Sequence, residues 1–322
     1  MLPKKLLSEI RKKSNRTFLI ATHINPEGDA VGSELALANL LKKLGKRVLI
    51  LNEDLPPSQY GFLPGLEAIK RAVKGLHYDA AILVDCSDLS RVGKISKRIS
   101  RDKPLINIDH HISNTRFGDI NWVDPRASSA SEMIYELFCA LNARINKDDA
   151  LLLYTGIVTD TGSFRYSTTS VSTHRAVSEL LKHGLDVYGI FRKLYESMRF
   201  ETVKAYAEII STLEISKNGR VAWLKVNNRL IKKDPSLSEE TDNIIQFARC
   251  IKGVEAALLF KEVREGREVR VNMRSTSGRV DVNKLARIFG GGGHAMASGC
   301  TVKGRLRDVV AKVVGEAEKR AA

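Results

Sequence analysis

Three short, almost wholly apolar runs in this chain stop on an imidazole or an acid. Thr17–Thr22 gives way to His23, Ala80–Val84 to Asp85, and Leu105–Ile108 to Asp109-His110-His111. Strands with one face in water alternate apolar and polar residues, whereas continuous apolar runs separated by helical patterns belong to a parallel sheet covered on both faces. Sites in such sheets lie beyond the carboxyl ends of the strands. His23, Asp85 and Asp109 are therefore predicted to share one edge despite their separation in sequence. Taken alone, Asp109-His110-His111 reads equally well as a solvated surface turn. The residues expected beside it decide the matter.

The rest of the chain supports that layout. A short basic amphipathic helix is expected over 5–16, with Leu6 and Ile10 on one side. Pro26, Gly28 and Gly32 mark the stretch from His23 to Ser33 as a loop. A helix follows with Leu37, Leu40, Leu41 and Leu44 at helical spacing, stopping at Gly45 before a strand over 47–51, which completes a βαβ unit. The small-residue run Ala127–Glu132 opens another helix. Ser129 or Ser128 can cap it, and its first amides could also receive a phosphate. An apolar helix from Ala150 ends near Asp160, where a buried acid needs a partner, and a helix from His174 to Leu181 stops at Gly184. We divide the chain into a catalytic domain (1–185), a helical connector (186–213) and a smaller α/β domain (214–322). In the last, Ser236-Leu237-Ser238-Glu239 reads as a capping box, Glu265-Gly266 as a hairpin turn, and 282–289 as a helix before Gly290-Gly291-Gly292-Gly293-His294.

Composition narrows the class of partner. No apolar run approaches the roughly 20 residues of a membrane span, and the basic start lacks the apolar core of a signal peptide. Cys86, Cys139, Cys250 and Cys300 form no Cys-x-x-Cys pair, so we expect reduced, mostly buried thiols in a cytoplasmic protein. The net charge of +15 favours polyanions. Aromatic residues make up only 6%, which argues against a platform for long single strands.

The acids and imidazoles expected at the edge are His23, Glu27, Asp29, Asp85, Asp109, His110, His111 and Asp160. Carboxylates gathered this closely repel unless cations neutralise them. Imidazole and carboxylate without thiolate suit Mn²⁺ and similar divalent ions, and paired ions suit phosphate-ester hydrolysis. The glycine run would let backbone amides approach a phosphate, and Arg274 would bind one in two-pronged fashion.

These residues also carry a resemblance. His23-x-x-Pro26-Glu27-Gly28-Asp29-Ala30-x-Gly32-Ser33, Val84-Asp85, Asp109-His110-His111 and Thr159-Asp160-Thr161-Gly162 resemble the four motifs of the DHH phosphoesterase superfamily. Gly290-Gly291-Gly292-Gly293-His294-x-x-x-Ser298-Gly299 resembles the signature of its DHHA1 domain. The length most resembles the NrnA-type subfamily of bifunctional oligoribonucleases and 3′-phosphoadenosine 5′-phosphate phosphatases. The resemblance implies a parallel-sheet DHH domain with helices on both faces, a smaller α/β DHHA1 domain and an active-site cleft between them. It implies two divalent ions, Mn²⁺ first and Mg²⁺ or Co²⁺ as substitutes. His23, Glu27 and Asp85 would hold one ion, and Asp29, Asp85, His110 and Asp160 the other. Asp85 would bridge, Asp109 would orient His110, and His111 would act at the scissile phosphate. Ser33, His111, Arg274, Gly291, Gly292, Gly293, His294 and Ser298 would contact substrate. The family commonly has Asp at the position of Glu27. Substrates would be short RNA or DNA oligonucleotides, 3′-phosphoadenosine 5′-phosphate or dinucleotides, with a homodimer as a possible assembly. Alternative activities are a cyclic-di-AMP or pApA phosphodiesterase and a RecJ-like single-strand exonuclease.

Overall fold

A computed structural model of the chain describes residues 2–233, 244–263 and 267–321. The chain divides into two units, Met1–Ser197 and Met198–Ala322.

The first unit is built on a six-stranded parallel sheet. Its strands are β1 (Thr17–Ala21), β2 (Arg47–Leu51), β3 (Ile69–Lys70), β4 (Ala80–Val84), β5 (Leu105–Asp109) and β6 (Ile120–Val123), in the spatial order β3-β2-β1-β4-β5-β6. The order reverses between β1 and β4, which is where such sheets open a crevice. Ala21 pairs with Leu83 and Val84 with Ile108, so β1, β4 and β5 end level with one another. That register delivers His23, Asp85 and the 109–111 triplet to one edge, as the apolar runs predicted.

One face of this sheet carries the helices α1 (Lys4–Arg11), α2 (Gly28–Lys43), α3 (Ala130–Ala140), α4 (Lys147–Asp160), α5 (Val171–Leu181) and α6 (Val187–Tyr195). Phe18, Ile20, Ile82 and Ile108 point into that layer, against Val31, Leu40, Ile134 and Leu153. Each such side chain contributes about 2 kcal/mol when removed from water. The opposite face, bearing Leu19, Ala21 and Leu83, is covered by Tyr78 and by Val92 and Ile95 of a 3₁₀ stretch, Leu89–Arg98. Both faces are covered, but unequally.

Two local expectations are corrected. The stretch from Gly28 to Ser33 is the start of α2, not loop. Its glycines serve packing: a Cβ on Gly32 would sit 2.5 Å from the Leu152 carbonyl oxygen, so glycine lets α2 and α4 touch backbone to backbone. The first helix ends at Arg11, because Asn15 turns back to bond Glu9. β6 was not foreseen. Its four residues alternate in burial, as expected of a sheet-edge strand, and carry no continuous apolar run.

The second unit contains α7 (Phe200–Ile210), β7 (Glu214–Ile215), β8 (Val221–Val226), α8 (Asn228–Lys233), α9 (244–249), β9 (Ala256–Val263), β10 (Glu268–Ser275), α10 (Val282–Ile288), β11 (Gly292–Gly293), β12 (Ala297–Lys303) and α11 (Leu306–Arg320). Its sheet has the order β11-β12-β10-β9-β8-β7, with β8 and β9 parallel and the other neighbours antiparallel. α10 and α11 pack on one face, and α7 and α9 on the other. The segment 186–213 carries two helices: Ile190 and Leu194 of α6 belong to the first core, and Ala205 and Ile209 of α7 to the second. The expected capping box at 236–239 and the turn at 265–266 lie outside the described residues. Among the four free cysteines, Cys86 and Cys300 are buried, whereas Cys139 and Cys250 are exposed. No described helix is long and apolar enough to cross a membrane.

Candidate metal centre

The strand ends bring together two groups whose potential ligand atoms lie within 4.8 Å of one another. One is Asp85, Asp109, His110 and His111, and the other is Asp29, His110 and Asp160. His110 belongs to both. Its Nε2 lies 3.3 Å from Asp160 Oδ2, 3.5 Å from Asp85 Oδ1 and 4.0 Å from Asp29 Oδ2. His23 Nε2 joins from the other side, 3.5 Å from Asp85 Oδ2.

Each side chain is fixed from behind. His23 Nδ1 donates to the Ile24 carbonyl at 2.7 Å, which leaves Nε2 as the atom aimed at Asp85. Asp29 occupies the first turn of α2. Its two oxygens accept from the backbone amides of Ala130 (2.6 Å) and Ser131 (2.8 Å) at the start of α3. Ser129 caps that helix by accepting from the Glu132 amide at 3.0 Å. The helix start expected to suit a phosphate is thus already occupied by a carboxylate, a favourable partner for those amides. Gly156 of α4 makes this possible, since a Cβ there would meet Ser131 Oγ and come within 2.8 Å of Asp29 Oδ1. Asp85 adopts a left-handed backbone, φ +52°, an uncommon state for a non-glycine residue and one that concentrates at functional sites.

The electrostatics are those of a site with too many acids. Burial, with the Asp85 charge behind it, pushes Asp29 up to about 6, and burial with the charge of Asp29 raises Asp160. Burial alone would lower His110, but the carboxylates around it prevail and lift it to about 10. Burial would raise Asp85, yet the imidazoles of His110 and His23 beside it hold it well below the usual range. Even so, Asp85 Oδ1 and His110 Nε2 are buried with no hydrogen-bond partner. Two buried polar atoms facing one another unsatisfied are costly. A divalent cation satisfies both at once, and the oxygen and imidazole donors suit one.

Most of the residues expected at the site are here, with three differences. Asp109 Oδ1 accepts from His111 Nδ1 at 2.7 Å, and its other oxygen accepts from Asn114 at 2.6 Å. The carboxylate therefore orients His111, where His110 was expected. Ser33 is fully buried in α2, its hydroxyl donating to the Ala30 carbonyl at 3.2 Å, so it is not available to substrate. Glu27 stands outside both groups, yet burial and the charge of Asp85 raise its carboxyl, with His23 and His111 near enough to oppose them.

Sequence reading missed the support behind the first strand. Buried Glu34 accepts from Asn52 Nδ2 at 2.8 and 3.0 Å, and Asn52 accepts from the Thr22 amide at 3.2 Å. The polar residue ending β2 was the available signal. In the second unit, Arg274 lies on β10 opposite Ala297 of β12. Gly292 and Gly293 form β11, paired with Gly299 and Ser298. His294 and Ala297 close the turn by exchanging backbone bonds of 2.7 and 3.1 Å, and Ser298 Oγ donates to the His294 carbonyl at 2.7 Å. The Gly291 amide donates to Ala286 and is spent on the end of α10. The His294 side chain is exposed.

Comparison with known proteins fits this architecture. The DHH family, N-terminal domain, matches residues 17–157, and the DHHA1 domain matches 237–319. A protein of Thermus thermophilus described as a bifunctional oligoribonuclease and PAP phosphatase NrnA is 32% identical over 93% of this chain and 88% of its own. One of Bacillus subtilis with the same description is 31% identical over 89% of each. The crystal structure of an exopolyphosphatase-related protein from Bacteroides fragilis is 26% identical, with a TM-score of 0.91, covering 99% of this chain and 98% of that one.

Proposed function

This chain belongs to the DHH family, and from that premise we propose that it is a divalent-metal-dependent phosphoesterase. It cuts short oligonucleotides to 5′-mononucleotides and removes the 3′-phosphate of 3′-phosphoadenosine 5′-phosphate. The descriptions of its relatives support the substrate class. The observation that carries the chemistry is the facing pair of unpartnered buried atoms, Asp85 Oδ1 and His110 Nε2, inside a ring of further carboxylates.

His23, Asp29, Asp85, His110 and Asp160 would hold two ions, Mn²⁺ by donor type, with Asp85 shared between them. Bound there, such ions lower the pKa of a water and offset the charge that builds on the phosphate. The protein's own groups do the rest. The amides at the start of α3 hold Asp29 in place, and Ile24 fixes the tautomer of His23. A carboxylate only accepts, so the bond to Asp109 puts a proton on His111 Nδ1 and turns Nε2 toward chemistry; when the ring carries a second proton at Nε2, that proton would pass to the leaving oxygen and leave the ring neutral. In the second unit, Arg274, the Gly292–Gly293 backbone and His294 are proposed to contact a phosphate of the nucleotide. Gly291 and Ser298 hold that turn in shape.

The test is turnover of three substrates with Mn²⁺: a labelled dinucleotide, 3′-phosphoadenosine 5′-phosphate and a long single strand. The first two should be consumed fastest. Preference for the long strand overturns the short-substrate reading.

A further inference from the structure

Directly after Asp160 the backbone does something rare. Gly162, Ser163 and Phe164 all have positive φ, +56°, +58° and +66°. Two of the three carry side chains, and each such residue costs about 1 kcal/mol or more. The turn is nonetheless well tied. The Thr161 carbonyl accepts from the amides of both Arg165 and Tyr166 at 3.0 Å, Ser163 donates its amide to Val158 at 2.8 Å, and Thr161 Oγ1 accepts from the Phe164 amide at 3.1 Å. Phe164 packs on the first core and against the His174 ring, 5.3 Å between centroids. A strained turn so anchored serves to present the next two side chains, Arg165 and Tyr166.

Both of these are exposed. Tyr166 keeps 44% of its surface in a chain where aromatics are scarce, and Arg165 beside it also faces solvent. The Tyr166 ring lies on Gly162, where a Cβ would fall 2.5 Å from Cζ, so glycine sets the ring's position two residues from Asp160. Arg165 Nε donates to the Gly162 carbonyl at 2.7 Å, which fixes the guanidinium stem and leaves its two terminal nitrogens. Tyr195, at the end of α6, lies near Ser163, Arg165 and Tyr166. A phenol ring and a guanidinium thus stand on a stiff turn that directly follows Asp160 of the acid–imidazole cluster, with a second phenol from α6 nearby. Aromatic faces stack on any nucleobase, and a guanidinium binds phosphate oxygens.

We propose that Tyr166, Arg165 and Tyr195 form a nucleoside subsite adjoining the metal centre, with Tyr166 stacking on the base next to the scissile bond and Arg165 bonding a phosphate oxygen. The proposal rests on the phosphoesterase reading and adds to it the groups that recognise a base. Those groups make the enzyme prefer a nucleotide over an otherwise equal phosphate ester.

The test compares 5′-phosphorylated diadenylate with the same compound carrying an abasic sugar at one position, each position in turn. Wild type should favour the diadenylate in KM over one of the two abasic compounds. Tyr166→Ala should reduce that preference about tenfold, within the ~1–3 kcal/mol per stacked base, with the loss in KM rather than kcat. Tyr166→Phe should retain it. If Tyr166→Ala keeps the wild-type preference, or loses kcat equally on all compounds, the subsite is wrong and the phosphoesterase reading stands. If wild type hydrolyses neither diadenylate nor the abasic compounds with Mn²⁺, the phosphoesterase reading fails and the subsite with it.

Discussion

At the scale of single residues, the Asp109-His110-His111 triplet divides its labour between neighbours. His110 Nε2 faces the carboxylates of Asp29, Asp85 and Asp160, whereas His111 Nδ1 is bonded to Asp109, with Asp85 Oδ1 3.6 Å away. The two imidazoles should therefore fail differently. His110→Ala should lower both metal content and turnover, by about 10³-fold or more in kcat, because His110 belongs to both groups of potential ligands. Asp109→Asn should keep the metal, measured by elemental analysis, but lower kcat by roughly 10²–10⁴-fold, since an amide no longer fixes the His111 tautomer. Equal metal loss in both variants would contradict this division. The residue types at the edge were legible in the sequence, because an acid or imidazole ending an apolar run has few other uses. The pairing of Asp109 with His111 was not legible. Adjacent imidazoles look alike in a sequence, and only side-chain direction separates them. The burial of Ser33 was hidden for a related reason: with Gly28 and Gly32 read as loop residues, the first turns of α2 were placed in solvent.

At the scale of elements, the site depends on how closely α2, α3 and α4 approach one another. Gly156→Ala should destabilise the protein by about 1–3 kcal/mol in urea denaturation, because the new methyl meets Ser131 and Asp29 rather than a flexible chain end. A variant as stable as wild type would contradict the close packing. The link from α2 to β2 gives a pH signature. Burial lifts Glu34 to about 8 from an ordinary value of 4.5, against the opposing bond from Asn52. A raised carboxyl binds more protons folded than unfolded. The stability it allows is complete below about 4.5 and lost as pH rises through about 8. Between pH 5 and pH 8.5 the unfolding free energy of wild type should therefore fall by a few kcal/mol relative to Glu34→Gln, at about 1.4 kcal/mol per pKa unit. Parallel curves for the two proteins would refute it. The long apolar strands were readable from pattern alone. The two-residue β3 and the four-residue β6 were not, since their pairing is imposed by the sheet rather than by their own periodicity.

At the scale of the whole molecule, the first unit gathers Asp29, Asp85 and Asp160 around one imidazole, although the chain carries a net charge of +15. Added divalent metal should accordingly raise the melting temperature of metal-stripped protein as binding to the folded state demands, and His110→Ala should show a much smaller rise. The described sheets differ in kind: parallel strands ending on acids and imidazoles in the first unit, and a glycine-rich hairpin on a mixed sheet in the second. The central claim is that the acid–imidazole edge works through bound metal. The most direct measurement follows hydrolysis of a labelled dinucleotide by metal-stripped wild type and His110→Ala as Mn²⁺ is restored, with nucleotide binding measured alongside. Wild-type turnover should return with metal, while His110→Ala should still bind nucleotide and stay inactive. Turnover by wild type without metal, or full activity in His110→Ala, would contradict the account.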